Sequence, residues 1–209
     1  MKLLPALARI LTVAYPLVLH YCVLTGQVTV AAYYLSMLLA LPILTTLLDR
    51  RTVGPFGVVT FLLAIGLLTV LQTHELIVFK ILPVIIHLTL FFLFTFSLKR
   101  NNTPVVTRIA VAIRPSLSED EITYTRSVTI MWAVFFMAMA LVSGYLATFS
   151  SVAIWSLFVN VISYGLITVV FLAEFKLRRR VLPEQVDYGF VTFLVRLSQA
   201  NLKKLFWLK

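Results

Sequence analysis

The stretch LQTHELIVFKILPVIIH, from Leu71 to His87, places two histidines, a glutamate and a lysine in a chain of which 61% is hydrophobic. Its polar part, Gln72 to Leu76, separates two apolar runs and so decides how many times the chain crosses a membrane. We interpret this part as a short turn between two spans, with Ile77 beginning the second of them. The alternative is that the run before it is a re-entrant segment.

The composition of the rest of the chain is typical of an integral membrane protein. Charged residues make up only 12% of the 209 residues, and the mean hydropathy is +1.00. Soluble globular domains lie far from these values. Because a bilayer core is about 30 Å thick, each helical span needs roughly 20 apolar residues. The length therefore suits one all-α transmembrane bundle without a large soluble domain.

Six continuous apolar runs predict six transmembrane helices, since none shows the alternation that marks barrel strands. These predicted spans cover residues 10–24, 28–48, 56–71, 77–98, 128–148 and 152–174. Residues 1–176 thus form the predicted transmembrane domain, with a cytoplasmic loop at 99–127. Residues 177–209 form a basic, amphipathic cytoplasmic tail.

The distribution of basic residues agrees with six spans and two cytoplasmic termini, because cytoplasmic loops carry the excess of Lys and Arg. With this topology all of the 18 basic residues except Lys80 fall on one side. The N-terminus has the Lys2 and apolar run of a signal peptide, but Arg9 interrupts the run and no small-x-small cleavage site follows. We therefore expect an uncleaved first span.

Two cytoplasmic segments, 103–115 and 190–208, carry apolar residues at helical spacing with basic residues beside that stripe. This pattern predicts helices lying in the membrane interface, where basic side chains contact anionic lipid headgroups. The predicted contacts are Arg108, Arg114, Arg178, Arg179, Arg180, Lys203 and Lys204. The alternative for the tail is docking onto a partner protein. Since the charges are divided among loops, no nucleic-acid binding is expected.

Four polar residues within the predicted spans, His20, Lys80, His87 and Asn160, are candidates for an intramembrane pocket. Counting along each helix places His20 level with Lys80 near the outer face, and the other two deeper. Lys80 and His87 share a helix face, and ionisable groups rarely face lipid. We prefer a structural interpretation, in which Lys80 reaches the outer headgroups and His87 is neutral and hydrogen-bonded to a neighbouring helix. The functional hypothesis is a polar pocket that opens outward and descends to His87.

The sequence contains no recognisable catalytic or metal-binding motif. The three histidines lack the spacing of a metal site, and one cysteine, Cys22, excludes an intrachain disulfide and a cysteine-based zinc site. Phosphate-binding loops and nucleophile elbows are missing from the sequence as well. We therefore predict no catalytic residue, no metal and no cofactor.

The carboxylates are expected to have ordinary roles. The run Glu119-Asp120-Glu121 is predicted to lie in a solvated loop, and Glu174 to form a surface ion pair with Arg178 four residues later. A small-residue face on the fifth span, at Ala140 and Gly144, indicates close helix packing within the chain. A homodimer contact through that face is the alternative.

Several segments carry a resemblance to a known family. In order and at similar spacing they are Thr73 to Pro83, PVVTRI at 104–109, WAVFF at 132–136 and IWSLF at 154–158. They resemble the bacterial intracellular septation protein A family over roughly residues 10 to 180. YTRxVTxxW at 124–132, WSLFxN at 155–160 and EFxxRR at 174–179 resemble a related group of uncharacterised membrane proteins. Members of that group are typically encoded beside fatty-acid-like enzymes of aryl-polyene lipid pathways.

This resemblance implies a bacterial inner-membrane protein of cell-envelope or lipid biogenesis, without catalytic residues to carry over. We predict a non-enzymatic accessory or scaffold protein that contacts the anionic bilayer and proteins of envelope synthesis or export. The rival hypothesis is a small carrier for a lipid or amphiphile, which would use the predicted pocket. A membrane acyl or glycosyl transferase would need a carboxylate from Glu75, Glu174 or the run at 119–121.

Overall fold

The computed structural model describes residues 3–27, 29–31, 33, 34, 37, 75–114, 116–182, 191, 192 and 195. The regular structure of these residues is helical throughout, and they contain no strand. The named helices are α1 (Leu3–Leu24), α2 (Glu75–Ser97), α3 (Val105–Ile113), α4 (Glu119–Phe149), α5 (Val152–Leu157) and α6 (Ser163–Val181). A π-helical segment, Phe158–Ile162, joins α5 to α6 without a break.

Among the described residues, three helices are long and apolar enough to cross a membrane: Lys80–Ser97, Glu119–Phe149 and Val152–Val181. They contain most of the predicted fourth span and all of the fifth and sixth, and they indicate a membrane protein. The first predicted span falls within α1, whose apolar part is the shorter helix Val13–Leu24. The predicted span 56–71 lies outside the described residues, as does most of 28–48. Six spans therefore stay a prediction.

Local sequence explains where these helices begin and end. Gly26 adopts φ +72° just after α1, and Gln27 N–H donates to Cys22 O at 2.7 Å, so a glycine turn closes that helix. Helical residues resume at 29–31, as the predicted connection at 25–27 requires. Ser151 begins α5 by accepting from Ile154 N–H at 3.3 Å through its hydroxyl.

Within the predicted segment 99–127, the helix expected at 103–115 is present as α3, whereas α4 begins at Glu119, before the predicted fifth span at 128–148. Glu119, Asp120 and Glu121 form the first turn of α4, where carboxylates interact favourably with the helix dipole. Glu121 is also buried. The acidic run was expected to be a solvated loop. It is instead the start of a helix, and one of its three carboxylates is buried.

The chain divides into two compact units. Unit 1 comprises Met1–Pro83 and Ser143–Tyr164, and unit 2 comprises Val84–Val142 and Gly165–Lys209. The buried core of unit 1 consists of Leu19, Cys22, Ala31, Trp155 and Val159. The main core of unit 2 is aromatic and consists of Val106, Val128, Trp132 and Phe136, with Phe94 packed edge-on against Phe136 at 5.3 Å.

Candidate functional site

A polar cluster of His20, Ser156 and Asn160 lies inside unit 1. His20 Nδ1 is 3.1 Å from Ser156 Oγ, so α1 and α5 meet through a hydrogen bond. Asn160 Nδ2 donates to the same hydroxyl at 3.1 Å and to the Ser156 carbonyl at 3.0 Å. Ser156 is 0% exposed and Asn160 only 5%. We call these three residues the unit 1 polar cluster.

The backbone beneath this cluster departs from α-helical geometry. Asn160 is the middle residue of the π-helical segment, whose wide turn changes the helix register on either side. Ser163 Oγ donates to the Phe158 carbonyl at 2.9 Å, which satisfies one of the backbone groups in that turn. Single π turns occur often at functional sites. The irregular turn thus coincides with the buried polar side chains.

Trp155 lies next to the cluster and is 0% exposed. Its indole Nε1–H has no hydrogen-bond acceptor among the residues that the structure describes. Buried donors are almost always paired, since an unsatisfied one costs on the order of 1–3 kcal/mol. Trp155 therefore contributes an unused donor in the core of unit 1.

Lys80, the basic residue on the predicted outer side, donates from Nζ to the Ala147 carbonyl at 2.8 Å. Ala147 is in the last turn of α4, where backbone carbonyls lack partners within the helix and the helix dipole favours a cation. Lys80 thereby caps the C-terminal end of α4, which belongs to unit 1. This contact gives a structural reason for the position of Lys80 that neither of our two hypotheses contained.

Of the four predicted pocket residues, the structure brings two together within unit 1. His20 and Asn160 are brought together by Ser156, and Lys80 belongs to the same unit but binds Ala147. His87 is buried and belongs to unit 2. Sequence reasoning missed Ser156. The signal was present in WSLFxN, because residues 156 and 160 are four apart and share a helix face.

The segment 103–115 contains the predicted helix, α3, but none of the side chains of α3 is fully exposed. Val106 N–H donates to Thr129 Oγ1 at 3.3 Å, and the Thr107 and Thr125 hydroxyls are 2.8 Å apart. Ser97 Oγ accepts from Val105 N–H at 3.1 Å. Hydroxyls of α2 and α4 therefore satisfy the first amides of α3 and hold it against the rest of unit 2.

Two ion pairs in unit 2 use buried carboxylates. Arg114 pairs with Glu121, which also accepts from Ser118 N–H at 2.8 Å. Ser118 Oγ in turn accepts from Glu121 N–H at 3.3 Å, so the two residues form a capping box at the start of α4. These contacts place Arg114, a predicted lipid contact, on a protein carboxylate.

The second ion pair joins Arg178 Nη2 to Glu174 Oε1 at 2.7 Å. The predicted pairing is confirmed, but the expected surface location is wrong, because the two side chains are 13% and 3% exposed. Tyr124 Oη lies 3.3 Å from the same carboxylate oxygen and donates to it. Desolvation makes such a pair intolerant of losing one partner.

The predicted lipid-contact residues now separate into three groups. Arg108 donates to the Thr103 carbonyl at 2.7 Å, and Arg114 and Arg178 bind carboxylates. Arg179 and Arg180, in the last turn of α6, are exposed. Lys203 and Lys204 lie outside the described residues. Lys176, which was not among the predicted contacts, is also exposed and lies on α6 close to Arg179 and Arg180.

Within the part of the chain that the structure describes, no group of three or more His, Cys, Asp or Glu side chains is arranged to hold a metal ion. No family model matches the chain, and comparison with curated proteins and solved structures finds no match either. The resemblance to septation protein A therefore stays a prediction, and any functional conclusion rests on the residues described above.

Proposed function

We propose that this chain is a non-enzymatic accessory protein of the bacterial inner membrane that serves cell-envelope or lipid biogenesis. In this proposal its helices anchor a basic cytoplasmic end, which holds anionic lipid and partner proteins together. The observation that carries the proposal is that three consecutive arginines lie in different environments. Arg178 is enclosed with Glu174, whereas Arg179 and Arg180 are exposed at the end of α6.

This division supports a surface role for the last two arginines. The basic residues next to buried carboxylates form internal ion pairs with them, so these basic residues support the fold. Exposed arginines beside a membrane-spanning helix attract anionic headgroups, each by about 1 kcal/mol. Lys176 adds a third exposed cation to the same helix end. The tail 183–209, with four more basic residues in the sequence, continues from this end.

The two buried carboxylates, Glu121 and Glu174, are not arranged for the catalytic role that the transferase alternative would give them. Glu121 is occupied by Arg114 and the Ser118 amide, and Glu174 by Arg178 and Tyr124. A general base must reach the proton that it removes. A carboxylate enclosed by an arginine and a second donor is arranged for structural support.

The lipid part of the proposal is tested by purifying the protein from bacterial membranes in an uncharged detergent and measuring the retained lipids by mass spectrometry. The double variant R179Q/R180Q should lose most of the enrichment in anionic phospholipid. The matched control R179K/R180K keeps both charges and should retain that enrichment. Equal enrichment in the glutamine variant would contradict the proposal.

The partner part is tested by mass spectrometry of the proteins that co-purify with the full-length chain. Deletion of residues 186–209 should remove those partners, whereas the double variant K80A/H87A should retain them. Loss of the partners in K80A/H87A but not in the deletion variant would favour the carrier hypothesis, because Lys80 and His87 would then be required for partner binding.

A further inference from the structure

Unit 1 contains hydrogen-bond donors without an acceptor among the described residues, and one of them, on Trp155, lies just before the π-helical segment. Trp155 is fully buried, and its Nε1–H has no acceptor among the described residues. Lys80 carries three N–H donors, of which the Ala147 carbonyl takes one. These groups belong to the same unit as the unit 1 polar cluster.

The positions of these donors are linked through one core. Ala147, which accepts from Lys80, packs against the buried residues that include Trp155 and Leu19. His20 follows Leu19 on α1 and reaches Ser156, the residue after Trp155. The core that contains the indole is therefore linked to Lys80 through Ala147 and to His20 through the neighbouring residues Leu19 and Ser156.

Among the side chains of unit 1 that the structure describes, Lys80 is a cation and none is a carboxylate. Both ion pairs of the described residues lie in unit 2, and no described carboxylate pairs with Lys80. In the unit 1 polar cluster, the His20 imidazole contacts Ser156 through Nδ1. When Ser156 donates to Nδ1, the neutral ring carries its proton on Nε2 and presents a further donor. The complementary ligand group is thus an anionic oxygen acceptor.

The surroundings restrict what carries that acceptor. The helices of unit 1 expose large apolar side chains, among them Leu17 and Ile81, as expected of helices that face lipid chains. Ionisable groups at such positions commonly mark binding sites or pathways. A ligand that reaches them from the bilayer has an apolar chain and a polar head.

We propose that unit 1 binds the carboxylate or phosphate headgroup of an anionic amphiphile, with Trp155, Lys80 and His20 as the donors. The acyl chain extends along the apolar exterior of the helices. The unit 1 polar cluster and the π turn at Asn160 position His20 and Trp155 for that headgroup.

The test measures binding of radiolabelled palmitate to the full-length protein in an uncharged detergent, by scintillation proximity. Palmitate should bind saturably, and unlabelled methyl palmitate should compete about tenfold less well than unlabelled palmitate because it lacks the anionic oxygen. Competition by dioleoyl phosphatidate identifies the source. Stronger competition than by palmitate indicates a phospholipid phosphate, and weaker competition indicates a fatty-acid carboxylate.

Variants assign the site. W155F removes the indole N–H and K80Q removes the charge while keeping a donor for Ala147, and each should weaken palmitate binding about tenfold. The matched controls are W132F and K99Q, which alter a buried tryptophan and an exposed lysine of unit 2, and both should bind like the native chain. K80R keeps the charge and should bind well.

Three results would overturn the proposal: no saturable binding of either anion, equal competition by the methyl ester, or equal affinity of W155F and W132F. Gel filtration and circular dichroism identify any variant that fails to fold, and K80M replaces K80Q in that event, because methionine also removes the charge. R179Q/R180Q should leave palmitate affinity unchanged, so the failure of this proposal and the failure of the proposed function are distinguishable.

Discussion

Lys80 Nζ donates to the carbonyl of Ala147 across 2.8 Å, and Arg126 Nη2 donates to the carbonyl of Leu98 across 3.0 Å. In both cases a cation from one long helix binds a carbonyl at or just beyond the C-terminus of another. Lys80 lies near the start of α2, and its side chain reaches the last turn of α4. Arg126, near the start of α4, reaches the residue that follows α2. Each contact satisfies an acceptor that the helix itself leaves unpaired.

Replacing Lys80 with Met should therefore lower the free energy of unfolding, by about 1 kcal/mol, because the last turn of α4 loses its charged donor. Thermal unfolding in detergent, followed by circular dichroism, measures the change. Lys99→Met is the control, since Lys99 is exposed and lies over the Phe96 ring at 4.9 Å. Equal melting temperatures for the two variants would contradict a capping role.

Arg178→Gln should destabilise unit 2 strongly, by about 3 kcal/mol, because Glu174 is left buried without its cation. Arg179→Gln, one residue along the same helix, should change stability by less than about 0.5 kcal/mol because its side chain is exposed. The comparison uses the same substitution at neighbouring positions, so only the environment differs. Similar losses of melting temperature would show that the pair is not enclosed.

Ser118→Ala should weaken the start of α4 by about 1 kcal/mol, since its hydroxyl accepts from Glu121 N–H in the capping box. Ser116→Ala provides the control, because Ser116 precedes the box and is exposed. Hydrogen exchange at the first amides of α4 reports the effect locally. Faster exchange is expected for the Ser118 variant, and unchanged exchange would mean that Glu121 and Arg114 suffice.

Membrane topology is tested by reporter fusions after Gln27, Thr73 and Ser150. All three should report the outer side, because the predicted connections there contain no Lys or Arg. A fusion after Arg100 should report the cytoplasmic side and serves as the control. A cytoplasmic signal at Thr73 would remove the hairpin between the third and fourth predicted spans and with it the six-span prediction.

Much of the helical organisation was predictable, because continuous apolar runs and the residues that end them are local properties. The helices over 80–97, 119–149 and 152–181 contain or largely cover predicted spans. The pairing of Glu174 with Arg178 followed from their spacing alone. Burial of that pair was not predictable, since it depends on Tyr124, which lies 50 residues earlier in the chain and donates to the same carboxylate.

The candidate site shows the same division. His20 and Asn160 were recognisable as polar residues in apolar runs. Their shared partner, Ser156, was overlooked, because serine is common in membrane spans and its role depends on which side chains lie opposite it. The π turn at Asn160 could not be predicted either, since its hydrogen bonds replace the regular helical pattern without a proline or glycine to signal it. Lys80 was conspicuous in the charge pattern, yet only the position of Ala147 explained it.

The sequence by itself determined the membrane class and the helical segments, because hydrophobicity and residue spacing act over a few turns. It also determined which charges were unusual. The tertiary structure alone decided which of those charged residues form internal contacts and which remain exposed. That decision depends on distances between segments far apart in the chain, where a buried carbonyl or carboxylate must find a partner or bear the cost of desolvation.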